Sequence, residues 1–224
     1  MMMKFDLSKN DILYRRADLT NDCESISNLW HDVYRETHAH LIPKDMLKHR
    51  TLKSFQTRAR IPAFIENTIL ATTKSQTCTG TGNYENIVGF INSRLENCNI
   101  YQLFVAKEAR KLGIGKELLK RAEDNIIFFQ NNKLIDCDAT NIAGSNTVHN
   151  YITIHLHASV GNFGAKNFYE KLGWKTIKEE ILQAEIVTSS PDDVLAEKSS
   201  NMCRQRIEYF PLPCYRLEKR LFLQ

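Results

Sequence analysis

The most constraining feature of this sequence is a basic, glycine-spaced turn, Arg110-Lys111-Leu112-Gly113-Ile114-Gly115. It lies between an apolar segment that predicts a strand, residues 100–105, and an amphipathic segment that predicts a helix from Lys116 towards Gln130. The first N–H groups of a helix have no intrahelical partner, and the helix dipole adds partial positive charge there. Glycine also lets the backbone approach a phosphate without an intervening Cβ. This basic turn therefore predicts a site for a phosphorylated ligand.

Two other nucleotide-binding loops do not fit the basic turn. A Walker loop continues with Lys and then Ser or Thr, and no Ser or Thr follows Gly115-Lys116. A Rossmann fingerprint needs three glycines and an acidic residue about twenty positions later, whereas only two glycines are present here. Taken alone, these two glycines also fit an ordinary strand-to-helix turn.

A second motif lies downstream, at residues 157–174. The pattern predicts a strand from Tyr151 to Ala158, followed by a short helix over residues 163–172 that Gly173 ends.

Together, the basic turn and the downstream motif resemble the GNAT superfamily of acyl-CoA-dependent N-acetyltransferases. Arg110-x-x-Gly113-x-Gly115 is similar to that family's pyrophosphate loop. The residues similar to its late strand–helix motif are Asn162, Ala165, Phe168, Tyr169 and Gly173. The order and separation of the two motifs also agree, and the resemblance is close over residues 99–176.

The resemblance implies an α/β fold (α+β mixed), a GNAT-like single domain with a central mixed, mostly antiparallel sheet. Its central strands would be parallel and splayed, and helices would flank the sheet. We expect one N-acetyltransferase domain over residues 1–224, with insertions near 74–86, 131–150 and 188–201. Homodimers are common for this architecture, so a homodimer is an open expectation.

Hydrophobic spacing predicts the elements that precede the basic turn. A helix is predicted from Asp22 to Tyr34, and Pro43 is predicted to open a second helix that continues through Phe55. The apolar residues 63–65 predict strand material, and residues 76–85, rich in Thr, Gly and Asn, predict a loop.

The resemblance also implies an activity, the transfer of an acetyl group from acetyl-CoA, as cosubstrate, to a primary amine. The amine would belong to a small molecule, a peptide or a protein and would attack directly. Backbone groups of residues 103–105 would bind the pantetheine arm, and the amides of residues 111–116 would wrap the pyrophosphate. The side chains of Arg110 and Lys111 would either contact phosphates or remain solvated. The implied cofactor-binding residues are Leu103, Phe104, Val105, Arg110, Lys111, Leu112, Gly113, Ile114, Gly115, Lys116, Asn162 and Tyr169.

Three residues are candidates for the chemistry, namely Tyr169, Tyr101 and His157. By resemblance, the Tyr169 hydroxyl lies near the CoA sulfur and acts as general acid, since a phenol with a pKa of about 10 keeps its proton at neutral pH. Tyr169 would otherwise be an aromatic residue packed in the helix face. Asn162 would orient the cofactor amide or cap the following helix.

The identity of the general base stays open. Many relatives carry a glutamate where this sequence has Tyr101, and this departure makes an acidic base at that position doubtful. A water chain, Glu96, or a histidine of the later strand could serve instead. Strand alternation places His155 and His157 on one face, where an imidazole would suit the task, although ordinary strand histidines explain them too. The missing glutamate also suggests an alternative function, a catalytically silent acyl-CoA-binding regulatory module.

A basic run surrounds the predicted second helix and is opposed by one acid, Asp45. The run is either a solvated surface or a face that attracts an anionic acceptor or partner. Its members are Lys44, Lys48, Arg50, Lys53, Arg58 and Arg60. Trp30, Tyr34 and His38 would either line the acceptor pocket or belong to the core and loops.

Composition restricts the remaining classes. A net charge of +4 over 224 residues is too mild to favour nucleic acid as a partner. The longest run of aliphatic or aromatic residues, 126–129, is far shorter than the ~20 residues that span a bilayer. No apolar segment of a signal peptide follows Lys4, so we expect a cytoplasmic protein with no membrane partner. The His-x-His pairs at 38–40 and 155–157 lack a Cys or Asp at ligand spacing, so no metal is predicted.

Overall fold

The computed structural model describes residues 11–76, 83–138, 151–188 and 206–223. Its strands are β1 Ile12–Arg16, β2 Thr68–Gln76, β3 Asn83–Arg94, β4 Asn99–Val105, β5 Tyr151–Ser159, β6 Lys175–Thr188 and β7 Arg206–Phe222. Its helices are α1 Cys23–His38, α2 Lys44–His49, α3 Leu52–Ala59, α4 Pro62–Glu66, α5 Ile114–Asp138 and α6 Phe163–Lys171. None of the described helices is long and apolar enough to cross a membrane.

The seven strands form one sheet in the order β1-β2-β3-β4-β5-β7-β6. Every neighbouring pair is antiparallel except β4 and β5, which run parallel. The predicted fold class is therefore confirmed. The basic turn and α5 follow β4, and α6 follows β5, so both motifs lie at the carboxyl ends of the parallel strands.

The parallel strands separate almost at once, as the resemblance implies. They pair only at Asn99 with His155 and at Ile100 with Leu156. On its other edge, β4 contains a β-bulge, because the register with β3 skips Tyr101. A bulge bends a strand and increases its twist, so it turns β4 away from β5. The result is a V-shaped gap between the two strands.

The sheet is covered on both faces, and a separate hydrophobic cluster fills each side. One cluster packs α5 against the sheet through Ile114, Leu118 and Ile126, which are buried. The other packs α1 to α4 around Trp30, which is 1% exposed and stacks on Phe64 with ring centres 5.1 Å apart. Trp30 is therefore a core residue and does not line a pocket.

A buried polar contact joins the elements that flank the gap. The Glu123 carboxylate on α5 accepts hydrogen bonds from the Trp174 indole, at 3.2 Å, and from the Lys219 ammonium on β7, at 2.9 and 3.0 Å. Glu123 is 9% exposed, so these partners replace much of the water that would otherwise solvate its carboxylate. This contact fixes α5 relative to β7 and to the end of α6.

Two predictions for the first part of the chain were wrong. Residues 63–65 belong to helix α4, because Pro62 suits a first helical turn and a three-residue apolar run does not distinguish strand from helix. The single helix predicted from Pro43 is two helices, α2 and α3. Thr51 starts the second as its N-cap, accepting a hydrogen bond from the Ser54 N–H at 3.3 Å.

The predicted insertions are only partly described. β2 and β3 form a longer hairpin than predicted, since strand structure reaches Gln76 and resumes at Asn83. Helix α5 continues to Asp138 and β6 to Thr188. The remaining residues of the three expected insertions, 77–82, 139–150 and 189–201, lie outside the described part of the chain.

Candidate active site

The basic turn presents a row of backbone donors at the start of α5. Lys111 and Gly113 have positive φ angles of 69° and 82°, which turn successive peptide groups towards one side. Within the described residues, none of the six N–H groups of residues 111–116 has a hydrogen-bond partner. Such a row at the N-terminus of a 25-residue helix suits a phosphate, because both the free donors and the helix dipole favour negative charge.

A large cavity of about 720 Å³ lies between this row, β4 and α6. All but one of the predicted cofactor-binding residues line it, namely Leu103, Phe104, Val105, Arg110, Lys111, Gly113, Ile114, Gly115, Lys116, Asn162 and Tyr169. The exception is the Leu112 side chain, which packs against the core. A Cβ at Gly115 would lie 3.3 Å from the Phe168 ring, so glycine there keeps the cavity wall close to the helix start.

The Arg110 side chain is engaged within the protein. Its guanidinium forms two hydrogen bonds with the Glu36 carboxylate, at 3.0 and 2.6 Å, and its Nε donates to the Val105 carbonyl at 3.1 Å. Arg110 therefore joins the end of α1 to the start of the basic turn. Lys111 is exposed and has no ion-pair partner among the described residues, so its ammonium is the freer of the two cations.

A small cavity of about 90 Å³ continues from the large one. The two share six lining residues, His38, Leu103, Phe104, Asn162, Ala165 and Tyr169. Tyr101 and His157 line the small cavity, whereas Glu96 is exposed in the turn between β3 and β4. The site is therefore one groove, with donors for an anion at one end and titratable side chains at the other.

A family of proteins matches this part of the chain. The acetyltransferase (GNAT) domain family matches residues 75–176, which contain β4, the basic turn, α5, β5 and α6. Residues 75–176 are a GNAT domain. No curated protein matches the sequence.

Solved structures share the fold of the GNAT domain and of the elements around it. PaiA N-acetyltransferase from Thermoplasma acidophilum, in complex with coenzyme A, matches with a TM-score of 0.50 at 13% identity. The match covers 94% of this chain and 99% of that one. PH1933 from Pyrococcus horikoshii OT3 matches with a TM-score of 0.51 at 16% identity, over 95% of this chain and 99% of that one.

Tyr169 lies at the junction of the two cavities of the GNAT domain. It is 8% exposed, and burial raises its pKa well above the usual value of a tyrosine. The phenol is therefore protonated at neutral pH. The start of α6, which carries Tyr169, is fixed by Asn162, whose side-chain oxygen accepts a hydrogen bond from the Ala165 N–H at 3.1 Å.

His157 is held by a carboxylate at the edge of the small cavity. Its Nε2 lies 2.7 Å from Oε1 of Glu180 on β6. Lys178 and His157 together lower the pKa of Glu180 to about 2, so this carboxylate is ionised at neutral pH. His155 points to the same face of β5 as His157 but does not line the cavity. Nothing in the sequence pattern indicated Glu180 as a partner.

His38 lines both cavities and is neutral. Burial, helped by the nearby charge of His40, lowers the pKa of His38 from its ordinary value of 6.5 to about 4. Its Nδ1 lies 2.7 Å from the Thr37 hydroxyl, and its ring stacks on Tyr34 with centres 4.7 Å apart. Of the three predicted pocket or core residues of α1, His38 lines the groove, and Trp30 and Tyr34 are buried behind it.

Tyr101 is surrounded by arginines that the motifs did not indicate. Arg58 of α3 donates a hydrogen bond to the Tyr101 hydroxyl at 3.1 Å, and the Arg94 guanidinium lies 3.9 Å from the ring centre. Burial raises the pKa of Tyr101, but Arg58, Arg94 and Arg50 outweigh this effect and bring it below the usual value. The end of the groove away from the basic turn is therefore strongly cationic.

Proposed function

We propose that the protein transfers an acetyl group from acetyl-CoA to a primary amine by direct attack. The observation that carries this proposal is the continuity of the groove. It leads from six N–H groups at residues 111–116, which have no hydrogen-bond partner among the described residues, along the open edge of β4 to Tyr169 and the small cavity.

The chain offers acetyl-CoA suitable contacts along this path. The N–H groups of residues 111–116 suit the pyrophosphate, with Lys111 as a supporting cation. The edge of β4 beyond Ile100, unpaired with β5, suits the amides of the pantetheine arm, as an added strand would. The thioester supplies an acyl carbon that is already activated for attack.

The proposed reaction uses one proton donor and one proton acceptor of the groove. The amine nitrogen bonds to the acyl carbon, the carbon–sulfur bond breaks, and Tyr169 gives its proton to the leaving sulfur. The amine gives up a proton to His157, whose imidazole Glu180 holds in place at 2.7 Å. Tyr101 is the second candidate for this acceptor, because it lines the same cavity.

Calorimetric titration with acetyl-CoA and with CoA, followed by an assay of CoA release with a panel of amines, tests the proposal. We expect saturable binding of both ligands and amine-dependent release of CoA. Binding without release for any amine would instead support a silent acyl-CoA-binding module. A folded protein that binds neither ligand would refute the proposed function.

A further inference from the structure

Three arginines from different elements meet around Tyr101. Arg58 lies on α3, Arg94 ends β3, and Arg50 lies between α2 and α3. Arg50 and Arg58 belong to the basic run of the sequence, whereas the other members of the run face solvent. The fold thus places two of the six cations beside Tyr101, which lines the small cavity.

No carboxylate neutralises this cluster within the described residues. None of the three arginines takes part in an ion pair there, although most charged pairs of the protein are close and well formed. Burial lowers the pKa of Arg50, and the nearby charge of Arg58 lowers it further. Like charges held together without a counter-ion destabilise one another, so an anion that entered the cluster would be stabilised.

The cluster is also held in shape before any ligand arrives. Arg58 stacks over Trp30, with its guanidinium carbon 4.3 Å from the ring centre, and donates to the Tyr101 hydroxyl. The Arg50 guanidinium lies 5.9 Å from the centre of the Tyr34 ring. The Nε of Arg50 is buried and has no hydrogen-bond partner in the described part of the chain. A buried donor without a partner is costly, and a ligand oxygen would remove that cost.

We propose that the amine acceptor carries a carboxylate, and that Arg50 and Arg58 bind this carboxylate beside Tyr101. The inference rests on the proposed acetyl transfer and names the substrate class of the same site. The acceptor is thus an amino acid or a similar zwitterion, with its amine directed to His157 and its carboxylate to the arginines. A guanidinium matches a carboxylate with two parallel hydrogen bonds, which a lysine could not reproduce.

The small cavity beside Tyr101 has a volume of about 90 Å³, whereas the cavity at the basic turn has a volume of about 720 Å³. The smaller space favours a compact anionic group such as a carboxylate.

Binding of matched product analogues tests the inference without requiring turnover. N-acetyl amino acids, their uncharged amides and the corresponding N-acetyl aminophosphonates would be titrated calorimetrically into the CoA-saturated protein and into the free protein. We expect the carboxylates to bind at least tenfold more tightly than the amides, as a charge-assisted hydrogen bond predicts. We expect Arg50→Gln to remove this preference, and Arg50→Lys to restore it only in part.

Arg58→Gln gives a second measurement, with a melting curve to verify folding, because Arg58 packs on Trp30. Arg60→Gln is the matched control, since Arg60 is exposed at the end of the same helix and should leave the preference unchanged. Absence of a carboxylate preference, a preference for the phosphonates, or a preference that survives in Arg50→Gln would overturn the inference. Failure of CoA to bind would refute the proposed function but not the carboxylate preference. The two results can be told apart because the product analogues are also titrated into the protein without CoA.

Discussion

The two ends of the groove are built from different parts of the chain. At the basic turn, consecutive backbone N–H groups form the proposed binding surface, and they all belong to residues 111–116. At the small cavity, the surface consists of residues from α1, β4, β5 and α6, including His38, Tyr101 and His157, and Arg58 of α3 contacts it through the Tyr101 hydroxyl. Local backbone geometry thus determines the first end, and long-range packing determines the second.

This difference predicts how each end responds to substitution. Backbone donors survive most changes of side chain but depend on residues that permit positive φ. Side-chain groups can each be removed alone, and each removal affects a separate property. Substitutions at the two ends should therefore change different measured quantities.

The largest effect on activity is expected at Tyr169, where the two cavities meet. Tyr169→Phe removes the proposed proton donor but keeps the ring, so kcat should fall by about 10²-fold or more while the Kd of acetyl-CoA stays unchanged. Steady-state kinetics and calorimetry measure the two quantities. Tyr14→Phe, in β1 and away from the groove, is the matched control. An unchanged kcat in Tyr169→Phe would show that the acid role is wrong.

The small-cavity end should respond to acid through His38. Unfolded His38 binds a proton near pH 6.5, but folded His38 does so only near pH 4. The unfolded state therefore binds more protons between these values, and stability falls as the pH decreases from 6.5 to 4. The shift corresponds to on the order of 3 kcal/mol.

Urea unfolding of the wild type and of His38→Gln over this pH range measures that contribution. Titrating carboxylates such as Glu180 affect both proteins alike, so the difference in slope isolates His38. If the free energy of unfolding had the same pH dependence in both proteins, the pKa of His38 would not be lowered by folding.

At the basic turn, Gly113→Ala should weaken acetyl-CoA binding by about tenfold. A Cβ at Gly113 meets no atom within 4 Å, so the cost comes only from its φ of 82° and is about 1–2 kcal/mol. Gly173→Ala is a matched control, with a φ of 87° and equally open space, but outside the groove. Both variants should lose similar stability, and only Gly113→Ala should raise the Kd. If the Kd of acetyl-CoA were the same in Gly113→Ala as in Gly173→Ala, the basic turn would not be the pyrophosphate site.

The smallest effect is expected for the contact between α1 and the turn. Glu36→Gln breaks the half-exposed pair with Arg110, which contributes up to about 1 kcal/mol, so the Kd of acetyl-CoA should rise less than fivefold. Glu117→Gln breaks a comparable pair with Arg121 on the surface of α5 and should leave the Kd unchanged. A lower Kd in Glu36→Gln would mean that a freed Arg110 contacts the phosphates.

The same comparison explains what the sequence could predict. Glycines 113 and 115 and the cap residue Asn162 act on their immediate neighbours, so their spacing was sufficient to locate the turn, the strand and the helix that follow. Strand alternation also placed His155 and His157 on one face of β5, as observed. These features depend on short-range geometry, which one sequence contains.

The contacts at the small-cavity end could not be predicted in this way. Arg58 and Tyr101 are 43 residues apart, and Glu36 and Arg110 are 74 apart. Such pairs depend on how α1 and α3 pack on the sheet, and the boundaries of these helices were themselves partly mispredicted. The basic run was visible in the sequence, but only the fold separates Arg50 and Arg58 from its solvated members.

The separation of β4 and β5 also has a mechanical consequence. The half-sheet β1–β4 and the half-sheet β5–β7 are joined by strand pairing at only two positions, Asn99 with His155 and Ile100 with Leu156. The gap is thus a notch, and bending between the two halves concentrates at its closed end. A ligand that contacts both β4 and β5 would restrict this bending. The sheet would then be more rigid even far from the ligand, and amide hydrogen exchange would be slower in both half-sheets.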